Sequence, residues 1–386
     1  MKRMSKVQVL RYFILTFFLV FVTVMSFRHQ IIGGGPKGSP SVDAICPFGG
    51  LESIYQVVTK GEFLKRTYTS NMILLSGTII LAVLLGRFFC GWICALGWMQ
   101  EIFGKLGRLI FKKKRFIIPS SVDKWLRYVK YIILAVIIYF TWKAGDMVVR
   151  AYDPFAAYAH LPSGFGELLD EFLIGTVILF GSLLISVFYE RFFCKYICPL
   201  GAFLGILSKI SPFAIYREKK TCTHCDLCNT TCQMNIEIAQ VEKVRSAECI
   251  GCLECVTVCP TKKETLKVKS FGVYVRPVFV ALIGVGIYLV IVLFTNLTGV
   301  WKTGETTLDA VVTKEQKLDP YSIRGFMTLH EISETFGIEL EVLYKELGIT
   351  EAVVPSDMKS KEIKNIAPGV DEYSIRIAVD TILKRK

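Results

Sequence analysis

The feature that most limits what this chain can fold into is a pair of cysteine runs within 38 residues. Eight cysteines lie between Cys222 and Cys259, in the stretches CTHCDLCNTTC and CIGCLECVTVC. Each stretch has the spacing C-x2-C-x2-C-x3-C, and Pro260 follows the second. Gaps of two residues allow three thiolates of one loop to close around a compact group of metal and sulfide. The segment is therefore predicted to fold around bound inorganic groups.

The spacing is that of bacterial two-cluster ferredoxins, in which the fourth cysteine of each run binds the other cluster. It predicts two 4Fe-4S clusters, the first held by Cys222, Cys225, Cys228 and Cys259, the second by Cys249, Cys252, Cys255 and Cys232. Zinc and disulfides are the alternatives. Zinc sites usually pair two short couples across a longer gap, and disulfides are rare in the reducing cytoplasm, where the topology below places this block.

The rest of the chain is unusually apolar. It has 386 residues, of which 52% are hydrophobic, and a mean hydropathy of +0.47, so membrane spans are expected. A span needs about 20 mostly apolar residues. Five stretches are predicted to cross: Tyr12–Phe27, Thr67–Gly86, Trp125–Trp142, Phe172–Tyr189 and Pro277–Val300. The first is interpreted as a retained helix; a signal anchor and a cleaved signal peptide are the alternatives.

The orientation follows from the basic residues of the short loops, which favour the inside. The connection between the second and third spans is rich in them and includes Lys105, Arg108, Lys112, Lys113, Lys114, Arg115 and Lys124. The next connection has Lys143 and Arg150 against five acidic residues. The chain is therefore predicted to be a multi-pass protein of the cytoplasmic (inner) membrane of a prokaryote, N-terminus inside and C-terminus outside. Its net charge of +13 is attributed to this topology and to contact with lipid rather than to nucleic-acid binding.

A second cysteine pattern occurs twice. RFFCGWICALGWMQEIFGKL from Arg87 and RFFCKYICPLGAFLGILSKI from Arg191 agree at ten of twenty positions, at an offset of 104. Upstream, AICPFGG around Cys46 corresponds to AYDPFAA around Asp153, at an offset of 107. Spans one and two are therefore interpreted as a unit repeated in spans three and four. Both units run the same way, so an axis near the membrane normal would relate them.

Each unit carries a Cys-x3-Cys pair at its inner end, and cysteines at i and i+4 share one helix face. An axis between the units would turn the two pairs together, giving four thiolates for a third iron–sulfur cluster: Cys90, Cys94, Cys194 and Cys198. Two alternatives remain open, namely redox-active thiols and cysteines that simply pack as small apolar residues. Cys46 is the thiol expected outside, and Asp153 takes its place in the second unit.

These motifs together resemble those of the polyferredoxin-like membrane proteins. That group includes the membrane iron–sulfur subunit associated with periplasmic nitrate reductase, the membrane regulator of nitrous-oxide reduction and the copper-assembly reductase of cytochrome oxidase. The resemblance covers roughly residues 1 to 300. It implies electron transfer between quinol or a cytoplasmic donor and something outside. The family usually has Cys-x3-Cys-Pro in both repeats, whereas Ala95 follows Cys94 here.

The predicted fold is mainly α. A five-span bundle of two parallel two-helix repeats carries a cytoplasmic two-cluster ferredoxin-like domain and a small helical C-terminal domain. The boundaries are 1–110 and 111–216 for the repeats, 217–270 for the ferredoxin-like domain, 271–300 for the fifth span and 301–386 for the tail. In the tail, apolar spacing predicts helices around Leu329–Phe336 and Leu340–Leu347, with Thr328 and Glu331 in a capping box, and a further helix near the C-terminus.

The function expected from these features is electron transfer between the cytoplasmic side and a membrane quinone or an extracytoplasmic acceptor. The chain would be the electron-transfer component of an oxidoreductase system, and whether it is itself an enzyme stays open. Its expected partners are membrane lipid and redox proteins, one on the cytoplasmic side and one outside that binds residues 301–386. A metal-ion reductase, for example for Cu(II), and a redox-sensing regulator are the alternatives.

Overall fold

The computed structural model describes residues 5–32, 39–61, 64, 67–111, 118–144, 147, 149–261, 265–303, 318, 320, 323, 325–363 and 366–385. The chain divides into two compact units. The first contains residues 1–26 and 42–301, and the second contains residues 27–41 and 302–386. The basic run Lys112–Arg115, on which the predicted orientation partly depends, lies outside the described residues.

The regular elements in the described part of residues 1–301 are helices and one small sheet. In chain order its elements are α1 (Lys6–Ile32), α2 (Pro47–Lys60), α3 (Thr69–Leu85), α4 (Phe88–Trp92), α5 (Ala95–Ile110), α6 (Ser120–Ala144), α7 (Pro154–His160), α8 (Phe165–Phe188), α9 (Phe192–Tyr196), α10 (Pro199–Leu207), β1 (Ala214–Arg217), α11 (Leu227–Thr231), β2 (Lys243–Val244), α12 (Glu254–Val258), β3 (Leu266–Ser270), β4 (Val273–Tyr274) and α13 (Pro277–Leu297).

Four of these helices are long and apolar enough to cross a membrane: α1, α6, α8 and α13. The remaining predicted span is α3, an apolar helix of 17 residues. It starts at Thr69 because the Asn71 side chain accepts a hydrogen bond from the Tyr68 amide, and it ends where Gly86 takes a left-handed φ of 68°. At about 1.5 Å per residue it rises about 25 Å, slightly less than the hydrocarbon thickness of a bilayer.

The same order of elements occurs twice in this unit. A long helix (α1, α6) is followed by a helix that begins with Pro-Phe (α2, α7), an apolar helix (α3, α8), a helix of five residues (α4, α9) and one further helix (α5, α10). Cys46 and Asp153 are the N-caps of α2 and α7, and each follows a single 3-10 turn. Proline suits the first helical position because a backbone N–H at that position would have no partner within the helix.

The sheet is formed by residues between the last two long helices. Its strand order is β2-β1-β3-β4 and all pairs are antiparallel, with Ile215 opposite both Val244 and Val268. These three side chains are buried in one hydrophobic cluster with Cys255 and Cys259. The sheet therefore supplies one wall of the region that holds the ferredoxin-type cysteines.

The second unit contains α14 (Leu329–Phe336), α15 (Leu340–Leu347), α16 (Ser360–Ile363) and α17 (Glu372–Arg385). The predicted capping box is confirmed: the Glu331 amide donates to Thr328 Oγ1 at 3.1 Å, and the Thr328 amide donates to the Glu331 carboxylate at 3.2 Å. Gly337 and Gly348 end α14 and α15 with φ of 62° and 66°. Leu329, Ile332 and Leu343 are fully buried in this unit's own core.

Candidate iron–sulfur sites

The second ferredoxin-type set is gathered around one cavity. Cys232, Cys249, Cys252 and Cys255 all line it, together with apolar side chains such as Ile215 and Val244. Cys232 comes from the first cysteine run and the other three come from the second. The cavity thus brings together the four residues that the spacing predicts for one cluster.

The first set lies closer to the surface. Cys225 is exposed, Cys222 and Cys228 are partly buried and Cys259 is buried. Cys222 and Cys228 interact electrostatically, and α11, which carries Cys228, packs against α12, which leads into Cys259. The loop that carries Cys225 is therefore accessible at the surface of the ferredoxin region.

Both cysteine loops follow the same backbone path. His224 and Asp226 in the first loop have φ of 53° and 57°, and Gly251 and Leu253, at the same distances from the first cysteine, have φ of 61° and 61°. Residues other than glycine seldom take this left-handed conformation. Successive backbone amides in such turns form a concave site for anions, which suits a group of sulfide and thiolate.

The Cys-x3-Cys pairs differ from the prediction in their local structure. Cys90 lies in α4, but α4 ends at Trp92, and Cys94 is the extended N-cap of α5, with ψ of 113°. Cys194 in α9 and Cys198 before α10 have the same arrangement, with ψ of 113° at Cys198. The expectation that each pair shares one face of a continuous helix was therefore wrong. The helix breaks because each second cysteine caps the next helix: the amides of Gly97 and Gly201 donate to its sulfur at 3.4 and 3.3 Å.

The four membrane cysteines, Cys90, Cys94, Cys194 and Cys198, nevertheless lie together. Burial raises the pKa of the Cys94 thiol to about 12, and the neighbouring Cys194 and Cys90 contribute to this rise. Burial, followed by Cys194 and Cys90, also raises the pKa of Cys198. The side-chain amide of Gln100 donates to Cys194 Sγ at 3.4 Å. Each repeat therefore contributes two thiols to one buried site.

The surroundings of these thiols fit a 4Fe-4S cluster. Three N–H groups donate to their sulfur atoms, and such hydrogen bonds and nearby charges set cluster potentials. Arg87 lies within electrostatic reach of Cys90, Cys194 and Cys198, and its buried Nε has no hydrogen-bond partner among the described residues. Within the described ranges, no three Cys, His, Asp or Glu side chains converge on a single metal ion. A cube binds each thiolate to a different iron, so its thiols stand farther apart than the ligands of one ion.

Two arginines connect the repeats in a reciprocal way. Arg191 of the second motif lies against Gly97 of the first, where an added Cβ would be 2.9 Å from Nη1. Arg87 of the first motif lies against Gly201 of the second, where an added Cβ would be 2.7 Å from Nη2. Arg191 also donates to the carbonyl oxygen of Cys90 at 3.0 Å. Both guanidinium groups are almost fully buried, so they place positive charge beside the thiols.

Buried carboxylates balance these charges. Glu101 on α5 receives hydrogen bonds from Arg11 at 2.5 Å and from Arg191 at 2.8 Å. Burial alone would raise the pKa of Glu101, but Arg11, Arg191 and Lys105 outweigh it and hold the pKa well below its usual range. Glu248 pairs in the same manner with Arg87 at 3.1 Å and Lys130 at 2.5 Å.

The second cysteine loop of the ferredoxin region packs directly on α4. A Cβ added to Gly91 would overlap the carbonyl oxygen of Ile250. The indole N–H of Trp92 donates to the Gly251 carbonyl at 2.9 Å, and the side-chain amide of Gln8 donates to the Cys252 carbonyl at 3.0 Å. The loop that carries Cys249 and Cys252 is thus held beside the helix that carries Cys90.

The two repeats differ at this contact. Lys195 occupies the position of Gly91 in the second motif; it is fully buried, with its ammonium 4.0 Å from the centre of the Tyr189 ring. On that side the ferredoxin region is held by Gln233, which accepts a hydrogen bond from Arg191 at 2.8 Å and donates to Glu254 at 2.9 Å. Gln233 follows Cys232, whereas Pro260 follows the fourth cysteine of the second run, and its side-chain amide links Arg191 to Glu254.

Sequence reasoning found the cysteines but missed the charged groups around them. Arg87 and Arg191 begin both copies of the repeated stretch, and their recurrence in an apolar setting is the signal that could have identified them. Glu101, Glu248 and Glu254 have no such signal, because their partners are distant in sequence.

Cys46 and Asp153, which were expected at the outer ends of the units, lie close together. They line one small cavity between α2 and α7, which Glu52 also lines. Burial raises the pKa of the Cys46 thiol, and Asp153 raises it further.

Two family profiles match the chain. A profile described as a 4Fe-4S binding domain matches residues 68–114 and again residues 172–218. A profile described as a 4Fe-4S dicluster domain matches residues 214–265. The first profile covers each Cys-x3-Cys motif, and the second covers both ferredoxin-type runs. No solved structure matches the chain.

Several curated proteins are similar to the chain. The uncharacterized protein MJ0750 of Methanocaldococcus jannaschii is 33% identical over 68% of this chain and 96% of its own length. The ferredoxin-type protein NapH of Escherichia coli is 27% identical over 48% of this chain and 64% of its own length. The regulatory protein NosR of Pseudomonas aeruginosa is 29% identical over 50% of this chain, but the match spans only 25% of NosR.

These similarities cover the residues that form the sites described above. The matched profiles describe 4Fe-4S domains, and the matched relatives include ferredoxin-type proteins. Four helices of the chain are long and apolar enough to cross a membrane. The chain therefore belongs to the polyferredoxin-like membrane iron–sulfur proteins.

Proposed function

We propose that the chain passes single electrons between a donor on the cytoplasmic side and a membrane quinone or an extracytoplasmic acceptor. The contact of Gly91 with Ile250 carries the proposal, because it joins the ferredoxin region to the membrane cysteines through backbone atoms. Electron exchange needs two sites to be close, and no side chain separates α4 from the Ile250 loop at this point.

The membrane cysteines are proposed to hold a third 4Fe-4S cluster, shared by the two repeats. Their mutual electrostatic influence, the N–H donors on three of the sulfur atoms and the two nearby guanidinium groups support this assignment. In the ferredoxin region, the first cluster is assigned to Cys222, Cys225, Cys228 and Cys259, and the second to Cys249, Cys252, Cys255 and Cys232. A bound cluster supplies a site that gains and loses one electron; the chain supplies thiolate ligands, hydrogen bonds and positive charge.

The exposure and packing of the three sites support a route. Cys225 is exposed, so the first set is the proposed point of exchange with a soluble protein. Cys249 and Cys252 pack beside α4, so the second set would exchange electrons with the membrane cysteines. Five spans, with the N-terminus inside, are proposed for the membrane part. The tail, 301–386, is proposed to bind a partner outside.

The experiment replaces Gly91 by alanine in the full chain, purified without oxygen. The added methyl group must push the Ile250 loop away. We expect weaker magnetic coupling between the second ferredoxin-type cluster and the membrane cluster, measured by electron paramagnetic resonance, and slower reduction of the membrane site. Iron content should be unchanged.

The matched control is Gly181→Ala, a helical glycine whose added methyl group meets nothing within 4 Å. It should behave as the parent chain does. If Gly91→Ala also leaves the coupling and the reduction rate unchanged, the route through this contact is wrong.

A further inference from the structure

The cavity between α2 and α7 has a composition that the proposed electron route does not use. It is small, about 20 Å³, and its walls combine Phe48 and Phe155 with Cys46, Glu52 and Asp153. A cavity of this size holds about one water molecule. The cavity can therefore hold a water molecule beside a protonatable side chain, but it is too small for a ring-shaped ligand.

Glu52 is a buried acidic side chain of this cavity with little hydrogen bonding from the described residues. It is 2% exposed, and its Oε1 accepts one long hydrogen bond of 3.4 Å from Thr141. No hydrogen bond to its Oε2 comes from the described residues. A buried carboxylate without a cation is costly to ionise. Burial and then Asp153 raise the pKa of Glu52 to about 8.

Within the described residues, the cation that lines this cavity pairs with carboxylates other than Glu52. The cavity is also lined by Asp43, which lies before α2, by Asp153, which lies before α7, and by Cys46. Arg150 is the cation among the described lining residues, and it pairs with Asp43 at 3.0 Å and with Glu171. Its Nη2 also lies 3.2 Å from His160 Nε2. From α3 and α6 the nearby polar groups are neutral, Asn71 beside Gly49 and Thr141.

The cavity is close to the membrane cysteines. Phe155, one of its walls, packs in the same hydrophobic cluster as Leu96, Cys94 and Cys198. The Tyr288 hydroxyl lies within electrostatic reach of both Cys46 and Cys94. Charges interact strongly across such a poorly solvated interior, so a negative charge added at the cysteines increases the proton affinity of Glu52.

We propose that Glu52 is a proton-binding site coupled to the membrane cysteines. One electron arrives from the ferredoxin region, one proton from water forms the bond to Oε2 of Glu52, and both leave on reoxidation. The net charge of the buried region then stays constant through the cycle. The proposal rests on the redox role assigned above to the membrane cysteines.

The test is a redox titration of the full chain from about pH 6 to about pH 10, a range that covers raised carboxyl pKa values. The signal followed is the one that depends on Cys90 and Cys198. Its midpoint potential should fall by about 59 mV for each tenfold drop in proton activity, as one proton per electron requires, in the window between the oxidised-state and reduced-state pKa of Glu52.

Three variants sharpen the titration. Glu52→Gln should abolish the slope, whereas Glu334→Gln, an exposed glutamate of the second unit, should keep it. Asp153→Asn removes a negative neighbour that raises the pKa of Glu52, so the sloping window should move to lower pH. A slope that persists in Glu52→Gln would overturn the proposal.

Infrared difference spectroscopy separates this proposal from the cluster assignment. The reduced-minus-oxidised spectrum should contain a protonated carboxyl band that disappears in Glu52→Gln, whether the four cysteines hold a cluster or act as redox thiols. If the parent chain lacks the band, Glu52 takes up no proton and the proposal is wrong. The cluster assignment would then still stand or fall by iron content and paramagnetic resonance.

Discussion

Arg191 and Arg87 each extend from one cysteine motif to the glycine that follows the other motif. Reading the repeated stretch as a sequence identifies its cysteines at once, because their spacing is regular. It gives no role to the arginines, since Glu101, Glu248 and Cys90, which they contact, lie 90 to 161 residues away. The ion pairs and hydrogen bonds of these arginines could therefore not be predicted from the sequence.

The carboxylate of Glu101 tests this network. Glu101→Gln keeps the shape of the side chain but leaves Arg11 and Arg191 without their shared anion, and breaking a buried ion pair costs roughly 3–5 kcal/mol. We expect a loss of stability of that order, measured by denaturant unfolding in detergent. Because the folded-state pKa is lowered, this stabilisation is complete above the unfolded pKa of about 4.3 and is lost as the pH falls below it.

Glu334→Gln is the control for that measurement, because Glu334 is exposed and should change stability by no more than about 0.5 kcal/mol. Equal stability of Glu101→Gln and the parent chain would contradict the prediction and would show that Glu254, 3.9 Å from Arg11, is a sufficient counter-charge.

The helices of the chain were largely predictable, and the break in each cysteine motif was not. Apolar runs gave the long helices, and Thr328 with Glu331 gave the start of α14. The Cys-x3-Cys spacing, by contrast, predicted one continuous helix, and the structure has α4 and α5 with Cys94 between them. The signal was present in Pro199 of the second copy, which favours the start of a helix, but Ala95 gives no such signal in the first.

Substitutions of Gly97 and Gly201, the glycines against which Arg191 and Arg87 pack, should have equivalent effects. Gly201→Ala brings a methyl group to 2.7 Å from Arg87, and Gly97→Ala brings one to 2.9 Å from Arg191. Each should shift the paramagnetic signal of the membrane site and leave the ferredoxin-type signals unchanged. Gly181→Ala is again the control; a shift in the ferredoxin-type signals instead would contradict the assignment.

The capping box of α14 gives a prediction for the second unit. Thr328→Ala removes the hydroxyl that accepts from the Glu331 amide, and loss of such a cap costs about 1 kcal/mol. Faster hydrogen exchange is expected in the first turn of α14. Thr335→Ala is a useful comparison, because its hydroxyl bonds within the helix to the Glu331 carbonyl; similar exchange in both variants would mean that the cap adds nothing.

At the scale of the whole molecule, composition and loop charges led to five spans and an orientation. Four helices have the required length, and α3 is the shortest of the five because caps at both ends restrict it. The packing of the ferredoxin region against α1 and α4 could not be predicted, since it depends on Gly91 in one repeat and Lys195 in the other. A comparison that counts identical positions in the two stretches does not show what this difference does.

The orientation can be tested with reporters. A fusion after Val300 should be active outside and a fusion after Arg217 inside, because the loop around Lys105 and Lys124 is more basic than the loop around Asp153. An inside signal after Val300 would exclude an external partner for the tail.

The central claim is that both repeats hold one cluster together. The most direct test is iron counting with paramagnetic resonance on the full chain, purified without oxygen. The parent chain should contain about twelve iron atoms, four in each of three cubes. Cys90→Ser and Cys198→Ser should each lose the same signal and leave about eight. About eight iron atoms in the parent chain, or a loss in one repeat's variant alone, would contradict it.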